Sequence, residues 1–350
     1  LSLYKGPLTS NAINSASFNA IIQNFSLFGN GRLVPFSEFS FSIGSENVIA
    51  KIGSIVGLQL ALSLGLGAFP AFYMGRIGSA LLFCLCAFYA YRFVSLLPMT
   101  LHLAASYSYD SGIIAYSLIL FACLMRGFFG EKQSLGYKEI TFYIVIAAIL
   151  APCKVIYSGL VLLGLFVPLS KFQDERIGRL SKYSMVLAVA VSVLALRVAS
   201  MSGLVSQSSV VARSMETAQY YTLGDIIMHP KNSFLVFCRT LDSLGDFYWE
   251  STLGYSLGWF QENLRFPVFF MIPYLLLGFI CCLESEDEPS FLSPTCSTLF
   301  IFAFVLAALG SIASMWLGWT FNYENVIQGV QGRYFLPALL LHDPGWRIQR

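Results

Sequence analysis

The chain has 350 residues, of which 56% are hydrophobic, 15% aromatic and only 11% charged, with a formal net charge of +2; its mean hydropathy is +0.68. A soluble domain carries about 25% charged residues, so this composition excludes a water-solvated globule and points to a multi-pass, all-α membrane protein. The small net charge gives no sign of a nucleic-acid partner.

In chain order, residues 1–47 are polar, rich in Ser, Asn and Phe, and contain no spanning segment. Residues 48–69 are apolar but carry Lys51, Gln59 and several glycines, a pattern that fits either a span or an interfacial helix. Residues 72–93 make a span closed by Arg92; 95–109 are apolar but short; 111–126 span again and end at Arg126. The stretch 140–169 is too long for one helix, because at about 1.5 Å per residue it would overrun the hydrocarbon core. Pro152 and Lys154 sit at its middle, so two shorter helices meeting at a polar turn over 151–157 are expected. A span at 183–199 follows the basic loop 170–182. Residues 200–266 read as one long polar and aromatic loop, and two further spans cover 267–283 and 296–318.

Lysine and arginine in the short loops set the orientation. Arg92, Arg126, Lys132, Lys138, Lys171, Arg176, Arg179 and Lys182 can share the cytoplasmic side if 140–169 is a hairpin with Lys154 at its outer tip. This divides the chain into an outer-face remnant (1–47), a transmembrane region (48–199), an outer-face loop (200–266), C-terminal transmembrane helices (267–341) and a tail (342–350). The chain starts with Leu, and 338–341 is too short to span before the polar tail, so it reads as a fragment cut at both ends.

That threading gathers the unusual polar residues at the outer face. Asp110 ends "LAASYSYD", Lys154 and Tyr157 lie at the hairpin tip, and Gln331, Arg333 and Tyr334 interrupt "VIQGVQGRYFLP". Ionisable groups bordering spans are commonly functional or paired. One carboxylate with a lysine and an arginine suits a phosphate-bearing lipid, Arg binding through its planar fork and Lys as a point charge. Structural roles compete: Asp110 as a helix N-cap, Lys154 snorkelling to headgroups, Arg333 as an interface anchor. Gly329 and Gly332 argue for a close backbone approach at this point. His102, within an apolar run, reads as a packed, hydrogen-bonded group.

In the outer loop, Asp242, Asp246 and Glu250 recur every four residues and would share one helical face, favouring a solvated face over a metal or general-base cluster. Trp249, Tyr255 and Trp259 offer flat surfaces for sugars or headgroups. The eight cysteines form no CxxC pair and no Cys/His cluster, so no metal ligands are assigned; Cys84 and Cys86 read as packing. No Walker A, GxGxxG or HExxH motif occurs.

"SLLPMTLHLAASYSYDS" (95–111), "ILAPCKVIYSGLVLLGLFVP" (149–168), "TLGYSLGWF" (252–260) and above all "GVQGRYFLP" (329–337) resemble the bacterial membrane proteins grouped as domain of unknown function 2142. That family is similar to the GT-C superfamily of membrane glycosyltransferases, which take a sugar from a polyprenyl-phosphate carrier at the outer face of the bacterial inner membrane. The resemblance implies a GT-C-like helical bundle with a long outer-face loop, working in cell-surface polysaccharide assembly. It implies a catalytic-site role for Asp110 as the second-loop acidic residue, orienting the acceptor or holding a divalent cation, with Lys154, Arg333, Tyr157 and Gln331 as ligands of the carrier phosphate. Trp249, Tyr255 and Trp259 would contact sugar, with a saccharide acceptor as partner and a divalent cation as an open possibility. Relatives carry an acidic, His-containing motif in a first outer loop that this sequence does not match; Glu38 or Glu46 are the stand-ins by location. A transporter or flippase of lipid-linked saccharides, using the same phosphate ligands, and an inactive truncated remnant are the alternatives.

Overall fold

A computed structural model describes residues 26–28, 48–89, 93–130, 133, 135–211, 220–257, 267–282 and 294–342. Arg92, Lys132, Glu38, Glu46 and Trp259, and nearly all of the 1–47 and 284–295 segments, lie outside the described residues. Among the described residues the elements are helices: α1 (Ile52–Ser63), α2 (Ala68–Tyr89), α3 (Pro98–Ala104), α4 (Tyr109–Phe129), α5 (Tyr137–Cys153), α6 (Ser158–Leu162), α7 (Glu175–Val211), α8 (Leu223–Met228), α9 (Pro230–Leu253), α10 (Val268–Cys282), α11 (Pro294–Trp319) and α12 (Leu336–Leu339). Among the described residues, four stretches are long and apolar enough to cross a membrane: Ala68–Phe88, Tyr109–Phe129, Glu175–Ala195 and Cys296–Trp319.

These four differ in what surrounds them. The Tyr109–Phe129 stretch is 72% buried within the protein, against 28% for those of α2 and α11 and 17% for that of α7. A helix apolar all round belongs in the middle of a bundle, and α4 takes that place. Ile113, Ile114, Leu118, Leu120 and Leu124 sit in the core with Leu97, Met99, Leu150, Tyr157, Phe300 and Leu336 around them. The other three leave their apolar surfaces to the bilayer.

Small residues set how closely the first helices approach. A methyl group on Gly57 would run into the backbone at Met74, and one on Gly78 into the backbone of Gly53. With hydrogens at these positions α1 and α2 lie backbone to backbone, as membrane helices do at small-residue contacts. Ser79 of α2 and Ser111 of α4 share a buried hydrogen bond at 2.9 Å, and the Tyr116 hydroxyl donates to the Ile49 carbonyl at 3.0 Å.

The interruption at 151–157 occurs where Pro152 and Lys154 placed it. The α5 helix stops at Cys153 and Lys154 adopts an extended conformation; the chain then returns through a 3-10 turn, α6 and a second 3-10 turn over Leu163–Phe166. Of residues 200–266, the described ones (200–211 and 220–257) are mostly helical rather than the loop expected. The α7 helix continues to Val211, and α9 adds 24 helical residues that carry Asp242, Asp246 and Glu250 on the four-residue spacing. Asp242 and Asp246 are exposed and Glu250 is half-buried, as on a solvated face. The physical reason for the helix is its apolar stripe: Val236, Leu244 and Tyr248 pack with Tyr221, Ile312, Trp316, Ile327 and Val330 in a second, smaller core.

Helix directions sort the charges between two ends of the bundle. Arg126 closes α4 and Lys138 opens α5, with Arg176, Arg179 and Lys182 in the first turns of α7. Arg126 pairs with Glu139 at 3.3 Å, and the Lys171 ammonium donates to the Gly130 carbonyl. Asp110, Lys154 and Arg333 belong to the other end.

Candidate functional site

Three segments far apart in sequence converge at that other end. Asp110 lies in the first turn of α4; Ser108 is the N-cap, its hydroxyl accepting from the Asp110 backbone N–H at 3.2 Å. The N-cap role weighed for Asp110 therefore belongs to Ser108, and the Asp110 carboxylate is free to serve elsewhere. One oxygen, Oδ2, accepts from the Ser108 hydroxyl at 3.1 Å. The same oxygen lies 2.9 Å from Arg333 Nε, with the two side chains only 4% and 19% exposed. A carboxylate near a helix N-terminus also interacts favourably with the helix dipole.

Lys154 reaches the same place from the α5–α6 turn. Its ammonium lies 3.2 Å from the centre of the Tyr334 ring and 5.8 Å from that of Tyr157, and the Arg333 guanidinium carbon is 5.5 Å from the Tyr334 centroid. Tyr334 is thus a shared wall for both cations, through the attraction of a cation for the negative face of an aromatic ring. Tyr109 and Arg333 are the polar neighbours of its hydroxyl. Tyr157 is fully buried and donates its hydroxyl to the Tyr334 carbonyl at 2.8 Å.

The glycines of "GVQGRYFLP" serve internal packing. A methyl on Gly332 would fall on the backbone and side chain of Thr252 and on the Tyr248 carbonyl, all in α9. Gly329 has φ +81°, open to glycine and strained for other residues, and a methyl there would meet Trp319 and Met315. Serines and threonines then fasten the segment: the Ile327 N–H donates to Thr240 Oγ1 and the Gly332 N–H to Ser251 Oγ, each at 2.9 Å, and the Gln328 N–H to Thr320 Oγ1 at 3.0 Å. The close backbone approach expected at Gly329 and Gly332 is real, and its partners are the chain's own helices.

Three buried polar atoms in these segments have no aligned hydrogen-bond partner among the described residues: Lys154 Nζ, Gln331 Oε1 and Arg333 Nε. The Arg333 contact with Asp110 is an ion pair whose N–H points off the line to the oxygen. Buried polar groups are partnered in the great majority of cases, and an exception calls for a functional explanation. Burial, outweighing the Asp110 carboxylate and reinforced by the Arg333 charge, pulls the Lys154 ammonium down to about 8. His102, half-buried in α3, is held below its usual range first by burial and then by the Arg76 and Arg333 charges.

The remaining expected residues lie further out. Trp249, on α9, is 65% exposed; Tyr255 is half-buried in the turn after Gly254, where φ is +101°. That turn sits against Pro98 and Met99 at the start of α3. Trp259 is outside the described residues. Among the described residues, no group of three or more His, Cys, Asp and Glu could hold a metal ion. Sequence reasoning passed over Tyr109, Ser108, Ser251 and Thr252. The first two stand directly before Asp110, and the α9 pair gave no signal because their partner lies some eighty positions later.

The family model described as "Predicted membrane protein (DUF2142)" matches residues 50–341. The chain belongs to this family. The match covers Asp110, Lys154, Arg333 and the whole segment that fastens Arg333 in place. No curated protein and no solved structure matches the chain.

Proposed function

We propose that this member of the family binds the phosphate of a polyprenyl-phosphate carrier at the Asp110 end of the bundle and acts as a GT-C-like membrane glycosyltransferase in cell-surface polysaccharide assembly. The observation that carries the reading is the convergence of Lys154 and Arg333 on Tyr334, each with a buried nitrogen lacking an aligned hydrogen bond, beside a single carboxylate. Two cations against Asp110 leave one positive charge over, which an anionic headgroup entering from the membrane would neutralise.

In this reading Arg333 and Lys154 stabilise charge developing on the departing phosphate, the kind of fixed electrostatic contribution that removes several kcal/mol from a barrier. Asp110 acts through Arg333 as a positioning residue, holding the guanidinium against the Tyr334 ring. Tyr157 braces the Tyr334 backbone from below, and the unpartnered Gln331 oxygen accepts from a donor on the ligand. Trp249 and Tyr255 offer the sugar-stacking surface. The site faces the outside of a bacterial inner membrane, with Arg126, Lys138 and the start of α7 inside, following the positive-inside rule.

The test is binding of polyprenyl phosphate to the purified chain, beside Arg333→Ala and Lys154→Ala. Loss in both variants, with thermal unfolding still cooperative, supports the carrier-phosphate site and leads to assays of sugar transfer from the loaded carrier. Unchanged binding overturns the assignment and leaves Arg333 with a structural role.

A further inference from the structure

At the opposite end of the bundle a crevice opens between α4, α5, the 163–172 segment and the start of α7. Its cavity volume is about 80 Å³ and it opens to the surroundings, so it is a shallow groove, smaller than the roughly 300–1,000 Å³ of an enclosed small-molecule site, and an occupant would lie largely along its open side. Leu124, Ile140, Ile144, Val167 and Met185 make its walls apolar. The Tyr143 hydroxyl is committed to the Val161 carbonyl at 2.7 Å, so the ring contributes to the apolar surface.

The polar groups of the crevice are Arg126, Glu139, Ser181 and Lys182. Arg126 and Glu139 neutralise one another in their 3.3 Å pair. Lys182, in contrast, has no ion-pair partner among the described residues. Arg126 stands in the last turn of α4 and Lys182 two turns into α7, from where a lysine side chain can reach back to headgroup depth. An apolar slot at this depth faces acyl chains, and a cation without a counter-ion faces lipid phosphates. Free inorganic phosphate would match the lysine and leave the apolar walls without a partner; an amphiphile matches both.

We propose that this crevice binds an anionic glycerophospholipid, one acyl chain lying between α4, α5 and α7 and the phosphate resting on Lys182, with Arg126 as a second donor. This site is independent of the carrier-phosphate reading, since no residue is shared between the two ends.

Phe142 lines the crevice and is 41% exposed, so Phe142→Trp places a fluorophore where the acyl chain would lie. The full chain is reconstituted in phosphatidylcholine vesicles doped with either phosphatidylglycerol or phosphatidylcholine carrying brominated chains. The quenching added by the new tryptophan is taken relative to the unsubstituted chain. One net cation near the surface predicts about a fivefold preference for phosphatidylglycerol, falling towards parity on Lys182→Gln and further on adding Arg126→Gln. Equal quenching by the two lipids, no added quenching, or a preference that survives the double substitution would each overturn the proposal. Native mass spectrometry of the chain with unaltered Phe142, with and without Lys182→Gln, provides the same comparison without the reporter: retained phosphatidylglycerol should drop with the lysine, and equal retention counts against the site.

Discussion

Asp110 Oδ2 and Arg333 Nε lie 2.9 Å apart, joining the first turn of the central helix to the "GVQGRYFLP" segment near the end of the chain. Both side chains are largely withdrawn from solvent, so the pair is strongly coupled to the packing around it. Removing one partner of a buried pair leaves the other charge uncompensated and costs about 3–5 kcal/mol. Asp110→Asn should therefore lower the unfolding midpoint in detergent substantially. Adding Arg333→Gln should restore part of the loss, a non-additivity that a double-mutant cycle reads directly. Additive losses would show that the two groups act separately.

Gly332 faces the backbone of α9 at Tyr248 and Thr252. A methyl at this position has nowhere to go without moving a helix, and overpacking of this kind costs about 1–3 kcal/mol. Gly332→Ala should lower both stability and polyprenyl-phosphate binding, because displacing the segment moves Arg333 with it. Ser251→Ala, which removes the bond accepted from the Gly332 N–H together with the hydroxyl's own bond to the Phe247 carbonyl, should show the same direction with a smaller effect, about 1 kcal/mol. The comparison is made by thermal denaturation and by carrier binding on the same preparations.

Tyr334 is the surface on which both cations rest. Tyr334→Phe keeps the ring and should retain most of the carrier affinity, while Tyr334→Leu removes the ring and should weaken binding by about 1–2 kcal/mol, roughly five- to thirtyfold. Equal effects of the two substitutions would assign the role to the hydroxyl rather than to the ring.

With Lys154 pulled down to about 8 by burial, its ammonium loses the proton in the folded protein before it does in the unfolded chain. Between about 8 and the unperturbed lysine value near 10.4, the unfolded state binds more protons, so this group's contribution to stability rises with pH across that window. Anion binding should move oppositely, weakening as pH rises through about 8. Lys154→Gln should abolish both trends. A carrier affinity that stays level from pH 7 to 9 would remove Lys154 from the set of phosphate ligands.

His102 provides a second, separate pH response. Its lowered value, set by burial and then by Arg76 and Arg333, means that the unfolded chain takes up a proton first on acidification. The stability contributed by the neutral imidazole is present above the unperturbed value near 6.5 and is lost as pH falls through the folded value. Unfolding midpoints from pH 7 down to 5 should decline more steeply for the native chain than for His102→Gln.

The sequence by itself determined the solvent and the main divisions of this protein. A chain this poor in charge could not cover a water-exposed surface, and long apolar stretches could satisfy their backbone only as helices. The break at Lys154 was legible because a proline and a lysine cannot continue a helix through the middle of a bilayer without help. Asp110 and Arg333 stood out because they border apolar runs on the side opposite the lysine- and arginine-rich loops. Tertiary structure decided what periodicity and composition could not. It made α4 the central helix, although α11 is the more apolar of the two, because burial depends on which neighbours surround a helix in space. It turned an expected loop into α9, because the apolar stripe of that helix is stabilised only by partners from 221, 312–316 and 327–330. It gave the glycines of "GVQGRYFLP" their reason, a close contact with α9 and α11 that no local pattern encodes. And it drew Lys154 and Arg333 onto one tyrosine, since only folding brings together charges that the chain separates by more than half its length.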